Sequence, residues 1–321
     1  ADWPKKVQQG KDEEIRPCIC CHAGCPGRAF EGKILSCAVN PAAGRERLYR
    51  IEKALHPKKI LVAGGGLAGM EFARIATLRG HNVSLYEKSN QLGGHVIPAS
   101  KPAFKEDDKR LLHWYIHQMK ELEIPLHMET EVTEQTVEKE KPDAVIAATG
   151  SIDFIPNVPG VDKANVCTAT DVLNEEEKVG KEVVIVGGGL VGCETALWLA
   201  QAGKKVTVVE MLEDIILSGT PVPHMNRIML IDLLHQQQVK ILTGHALVKV
   251  KEKSVILMDK DFKKKEVSCN TVVTASGYRP QTRLFDVLNG KVEELYAVGD
   301  AYAAKNIMHA IWSANEVALH I

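Results

Sequence analysis

The most constraining feature of this 321-residue chain is a glycine loop that it carries twice. Gly64-Gly65-Gly66-Leu67-Ala68-Gly69 follows the short apolar run Lys59 to Ala63, and Gly187-Gly188-Gly189-Leu190-Val191-Gly192 follows Glu182 to Val186. After each loop the apolar spacing predicts a helix, Met70 to Arg79 in the first copy and Cys193 to Gln201 in the second. A second strand closes each unit, Asn82 to Glu87 and Lys205 to Glu210. Two such βαβ units in one chain predict an α/β fold with two Rossmann-like domains.

The glycines point to dinucleotides. The first of each trio (Gly64, Gly187) permits a tight turn, the second (Gly66, Gly189) lets backbone approach a pyrophosphate, and the third (Gly69, Gly192) packs helix on strand. Free N–H groups and the positive dipole end of the helix then face the phosphates. An acid ends each second strand about 20 residues on, where it can accept ribose hydroxyls; these are Glu87 and Glu210. A carboxylate at Glu210 repels a 2′-phosphate, so NADH is expected in preference to NADPH.

Charge and composition exclude other classes. A net charge of -1 leaves no electrostatic footprint for nucleic acid or anionic membrane. No apolar run is long enough to span a bilayer, and Ala1 to Lys6 lacks a signal region, so a cytoplasmic protein is expected. Five of eight cysteines crowd the first forty residues. Without a secretion signal that crowding argues for metal rather than disulfides. Cys18, Cys21, Cys25 and Cys37 offer four thiolates, which suit zinc or an iron–sulfur cluster; the spacing lacks the paired CxxC knuckles usual for structural zinc. Cys20 reads as a spare thiol beside Cys21, and Cys193 as a small helix residue packed on a strand. The stripe Leu111, Leu112, Tyr115, Met119 and Leu122 within Phe104 to Leu122 reads as helix core, and Lys260 to Lys265 as a solvated hairpin tip.

From residue 58 onward the chain resembles the two-dinucleotide flavoprotein reductases, in which an NAD domain is inserted into an FAD domain. In those proteins a Gly-Asp after a late strand reaches the flavin ribityl chain, matching Gly299-Asp300 here. Ala148-Thr149-Gly150 and Ala275-Ser276-Gly277 match the places where chain crosses between the domains, with Gly150 and Gly277 beside the cofactors. Disulfide-reducing relatives carry a close cysteine pair, and neither dinucleotide unit has one here.

Over nearly its whole length the chain also resembles the family of 2,4-dienoyl-CoA reductase, 2-enoate reductase and trimethylamine dehydrogenase. Arg16-Pro17, the cysteine run and Ser36-Cys37-Ala38-Val39-Asn40-Pro41 carry that resemblance. It implies a 4Fe-4S cluster on Cys18, Cys21, Cys25 and Cys37, relaying electrons from FAD to the FMN of an old-yellow-enzyme-like barrel. Only 58 residues precede the first dinucleotide strand, so that barrel is expected in cis in a longer enzyme. The resemblance places FAD contacts on Ala68, Glu87, Gly93-Gly94 with His95, Lys105, Val132 and Asp300. His95 replaces the usual glutamine and is expected to offer a ring N–H to the flavin or a phosphate.

The expected organisation is therefore a cluster segment and linker over 1–57, an FAD domain over 58–168 and 288–321, and a nicotinamide domain over 169–287. Electrons are expected to pass from NADH through FAD and the cluster to the barrel, where an enoate, dienoyl-CoA or enone is reduced. No side chain is nominated as catalytic, because the cofactors carry the chemistry. Two alternatives stand beside this. One is a stand-alone NADH:acceptor subunit similar to the glutamate synthase small subunit. The other is a structural module that binds ADP in place of FAD, as in trimethylamine dehydrogenase.

Overall fold

The computed structural model describes residues 3–175 and 178–321. The strands are β1 Lys59–Ala63, β2 Asn82–Tyr86, β3 Leu126–His127, β4 Ala144–Ala147, β5 Ser151–Asp153, β6 Val166–Thr168, β7 Glu182–Val186, β8 Lys205–Val209 and β9 Lys240–Leu242. They continue as β10 His245–Val250, β11 Ser254–Asp259, β12 Lys264–Ser268, β13 Thr271–Thr274, β14 Tyr278–Pro280 and β15 Glu294–Ala297.

Two compact units result. One runs up to Ile152 and resumes from Arg279 to Ile321; the other is Asp153–Tyr278. Each is built on a five-stranded sheet, ordered β15-β4-β1-β2-β3 in the first and β6-β13-β7-β8-β9 in the second. All pairings within both sheets are parallel. Strands of a parallel sheet are covered on both faces, which is why residues 60–63, 144–147 and 183–186 read as unbroken apolar runs instead of alternating ones, and why all four residues of β13 are buried.

The first core gathers Ile60, Val62, Phe72, Ile75 and Leu85 with Leu111, Tyr115 and Met119 from the helix Glu106–Glu121. Each such side chain contributes roughly 1.5–3 kcal/mol on burial. The apolar stripe expected for Phe104 to Leu122 is thus core. In the second unit Val183, Ile185, Ala196, Leu197, Val206 and Val208 form the matching core. A three-stranded antiparallel sheet, β10-β11-β12, adds to the same unit. The pairing slips between Leu247 and Lys249, and Val248 lies at that bulge while Val250, Val255 and Leu257 are buried.

The chain crossings differ from the expected 168/169 and 287/288, falling at 152/153 and 278/279. Val166–Thr168 is the edge strand of the second sheet, paired with Thr271–Thr274, so a boundary after residue 168 would strip it from its partner. The helix Arg283–Leu288 belongs to the first unit, because Leu288 is buried with Leu61, Ala63, Tyr86 and Val145. Among the described residues no helix is long and apolar enough to cross a membrane.

Candidate functional site

Both glycine loops are built alike, and each glycine answers to a separate demand. Gly64 has φ +119° and a Cβ there would lie 2.2 Å from the Ala148 carbonyl; Gly187 has φ +113° and would meet the Ala275 carbonyl at 2.3 Å. A Cβ on Gly69 or Gly192 would come within 1.9 Å of the Gly64 or Gly187 carbonyl. Turn and packing explain these four.

The middle glycines have a different reason. Around Gly66 no atom of the chain stands within 4 Å of a would-be Cβ, and around Gly189 the nearest is Ser218 Oγ at 3.3 Å. Nothing in the fold demands glycine at Gly66. The helices Leu67–Leu78 and Leu190–Gln201 start at once, with Gly66 and Gly189 as caps that supply no side chain to the first N–H groups. Open space before free N–H groups at a helix N-terminus is what a pyrophosphate requires.

Glu87 and Glu210 close the loops in the same way. Glu87 Oε2 accepts the Gly65 N–H at 2.7 Å, and its Oε1 accepts the backbone N–H and hydroxyl of Ser89, each at 2.8 Å. Glu210 Oε2 accepts the Gly188 N–H at 2.7 Å and Oε1 the Leu212 N–H at 2.8 Å. Each acid therefore clips its own loop, with lone pairs left over for a ribose hydroxyl.

Several expected contacts converge in the first unit. Gly93 has φ +133° and donates to the Gly65 carbonyl at 2.9 Å, which lays Gly94 against Gly66. Gly299 has φ +62°, and a Cβ there would press on that of Ala68 at 2.6 Å. Asp300 Oδ2 accepts from Ser151 Oγ at 2.9 Å and Oδ1 from the Lys305 N–H at 3.2 Å. Ser151, directly after Gly150 at φ +73°, is a site residue that the sequence did not announce. His95 departs from expectation. Its Nε2 lies 2.9 Å from the Ser151 carbonyl, which can only accept, so that N–H is held by the chain itself. Val132 is buried beside Tyr86, and Lys105 lies 3.9 Å from Asp108. In the second unit Gly277 has φ +104° and open space around it.

The cysteine segment rests on the first unit. Gly24, another residue the sequence did not single out, brings two stretches of backbone together: a Cβ there would lie 2.5 Å from Ala38 N and 2.6 Å from Cys37 C. Trp312 Nε1 donates to the Cys37 carbonyl at 3.0 Å, and the Arg45 and Arg28 guanidiniums lie 4.2 and 5.3 Å from the Trp312 ring. Burial lifts the Cys21 thiol above its ordinary pKa, and the charges of Cys37, Cys25 and Cys18 add to the rise. Among the described residues no three His, Cys, Asp or Glu converge as ligands of a single metal ion. Gly24 thus lets the turn between Cys21 and Cys25 lie against Cys37, and the four thiols form a soft donor set of the kind that suits zinc or an iron–sulfur cluster. Cys20, at φ +50°, is turned toward Asp107, whose hydrogen bond pushes its pKa up to about 11. Cys193 is fully buried and pushed up to about 12 by that burial, so it is inert as a nucleophile.

Residues 43–144 and 134–320 match the family model of the pyridine nucleotide-disulphide oxidoreductases. The chain belongs to this family. It is a family of flavin oxidoreductases, and FAD and nicotinamide dinucleotide binding go with it. The whole chain is 41% identical to a cinnamate reductase of Clostridium sporogenes over 321 residues, covering 48% of that protein. It is 38% identical to an NADH oxidase of Thermoanaerobacter brockii over 327 residues, covering 50% of it. A 2-naphthoyl-CoA reductase solved with 2-naphthoyl-CoA superposes with a TM-score of 0.94 at 31% identity, over 99% of this chain and 48% of that one. This chain thus corresponds to the FAD- and NAD-binding portion of the enoate reductase family, and it spans about half the length of the curated relatives it matches.

Proposed function

We propose that this chain is the electron-input module of an iron–sulfur flavoenzyme, drawing on NADH to reduce an activated carbon–carbon double bond. The observation that carries the reading is the segment bearing Cys18, Cys21, Cys25 and Cys37, closed at Gly24 and fastened through the Trp312–Cys37 hydrogen bond to the unit whose glycine loop opens onto free space. FAD bound at Gly64 to Gly69 would accept hydride and yield single electrons, and a 4Fe-4S cluster on Cys18, Cys21, Cys25 and Cys37 would carry them toward an FMN barrel.

The chain's own part is binding and alignment. The N–H groups after Gly189 take the NADH pyrophosphate and Glu210 its ribose hydroxyl. Gly66, Gly94 and the N-terminus of the helix Leu67–Leu78 take the FAD pyrophosphate, Glu87 its ribose, and Asp300, oriented by Ser151, the ribityl chain. Ala68 and Gly299 set the distance between loop and ribityl contact. Lys105, Val132 and Gly150 complete the FAD side, and Gly277 the nicotinamide side. Relatives named cinnamate reductase and 2-naphthoyl-CoA reductase favour an unsaturated acid or acyl-CoA as substrate, acted on in a companion barrel within a longer chain.

The test is Cys37→Ser. A hydroxyl is a poorer iron ligand than a thiolate, so iron and the visible absorption of a cluster should be lost. Ferricyanide reduction by NADH, which needs only the two dinucleotides, should stay within a factor of two. An iron content equal to that of the unmodified protein would overturn the reading of the cysteines.

A further inference from the structure

The cysteine segment is fastened by a buried ionic group whose charges do not cancel. Glu71, on the helix Leu67–Leu78, has no exposed surface. It accepts from Arg74 Nε at 3.0 Å and Nη2 at 3.1 Å, Arg16 Nη2 at 3.3 Å, Tyr115 OH at 3.1 Å and Asn315 Nδ2 at 2.9 Å. The Arg74 and Arg16 side chains are 10% and 14% exposed. Among the described residues neither arginine has a second carboxylate. Tyr115 does not supply the missing charge, since burial first and then the Glu71 carboxylate push its pKa far above the ordinary phenol range.

One carboxylate against two guanidiniums leaves one positive charge out of water. Such an excess is unfavourable unless an anion completes it. Arg16 ties this charge to the two stretches of backbone that carry the cysteines: it stands two residues before Cys18, and its Nη1 donates to the carbonyl of Val39, two residues after Cys37. Its guanidinium is held 4.3 Å from the Trp114 ring centroid, so it has little freedom to turn away.

We propose that Arg16, held in place by Glu71 and Trp114, is the counter-charge that sets the reduction potential of the group on Cys18, Cys21, Cys25 and Cys37. The inference rests on the cluster reading given above. A cluster ligated by four thiolates is anionic and gains a further negative charge when it takes one electron from the flavin. A fixed cation in a poorly solvated site favours that reduced state and raises the potential. Arg16 touches neither substrate nor the reacting atoms and acts through the field it imposes.

The signs make this testable. Arg16→Gln removes the cation and should shift the midpoint to a more negative potential. Glu71→Gln removes the opposing anion and should shift it the other way, while Arg16→Lys, which keeps the charge, should stay nearest the unmodified protein. The measurement is an anaerobic redox titration of the FAD-loaded, cluster-reconstituted chain, followed by electron paramagnetic resonance of the reduced cluster, with iron and sulfide content determined in parallel. A purely mechanical fastening would lower cluster content in both charge variants without opposite shifts. Shifts of the same sign, or an unmoved midpoint with the cluster present, overturn the proposal. If Arg16→Gln holds no cluster, Glu71→Gln decides alone, and a midpoint that falls or stays fixed refutes it. No cluster signal in the unmodified chain would refute the cluster reading itself and the inference with it.

Discussion

Gly66 and Gly69 stand three residues apart in one loop, yet alanine at each should fail for opposite reasons. Gly66 has φ -74° and ψ -177°, ordinary extended backbone, and no atom of the chain lies within 4 Å of a Cβ placed there. Alanine loses the slight capping advantage of glycine but restricts the unfolded chain by about 0.4–1 kcal/mol, and these effects nearly offset. The melting temperature without FAD should move by no more than about 3 °C. FAD affinity should collapse, because the new methyl occupies the space through which a phosphate reaches the helix N–H groups. One charge-assisted bond lost is about 1.5–3 kcal/mol, a roughly 10- to 150-fold weaker dissociation constant. Gly69→Ala reverses the pattern. Its Cβ would lie 1.9 Å from the Gly64 carbonyl, so helix and strand must part, at about 1–3 kcal/mol or more of stability before any ligand is added. Thermal melts with and without FAD, together with a fluorescence titration of FAD, separate the two. If Gly66→Ala binds FAD as tightly as the unmodified chain, the open space is not the path of the pyrophosphate.

Asp300→Ala should lower FAD occupancy after dialysis by roughly tenfold or more, through loss of one charge-assisted bond of about 1.5–3 kcal/mol. Ser151→Ala, which only frees that carboxylate to turn, should have a smaller effect of the same sign; equal occupancy in all three proteins would count against the ribityl contact. Steady-state ferricyanide reduction should show a lower KM for NADH than for NADPH, and the reverse order would refute the role given to Glu210. For Glu71, burial works to raise its pKa, but Arg16 and Arg74 hold it below the ordinary carboxylate value. Its stabilising contribution is therefore complete above the unfolded value of about 4.3 and is lost as pH falls through the lower folded value. Urea melts of Glu71→Gln should show a flatter acid limb than the unmodified protein, and parallel limbs would contradict the buried ion group.

What the sequence made legible was local and repeated. The loops, the two acids and the parallel strands follow from adjacent residues; the helix starts moved to Leu67 and Leu190, because the first turn of each helix is already inside the glycine loop, and the second strands end at Tyr86 and Val209, one residue before each acid. The chain crossings were misplaced because Val166–Thr168 is three residues long, with no period to detect, and finds its neighbour more than a hundred residues away. Ser151 carries no pattern of its own; its role appears only when Asp300 folds back beside it. Glu71 in a helix reads as a solvated face, and nothing in the sequence shows that Arg16, Arg74, Tyr115 and Asn315 all converge on it.

The two loops also differ where the sequence made them look alike. In the first unit the strand-to-helix turn is backed by Gly93, whose N–H reaches the Gly65 carbonyl at 2.9 Å, and Gly94 follows at φ +54°. In the second unit the equivalent bond, to the Gly188 carbonyl at 2.7 Å, comes from Ile216 at φ +57°. A β-branched residue in the left-handed region costs about 1–3 kcal/mol, which burial of its side chain with Ile215 and Leu230 offsets. Two glycines let backbone lie flush on one loop and run straight into His95 and its bond to Ser151. The Ile216 backing leads instead into the exposed Leu217 and on to Ser218, whose hydroxyl faces Gly189. One turn is therefore sealed by backbone and tied through His95 to Ser151, while the other is flanked by an exposed segment. That difference accords with a flavin that stays and a nicotinamide that must enter and leave at every turnover.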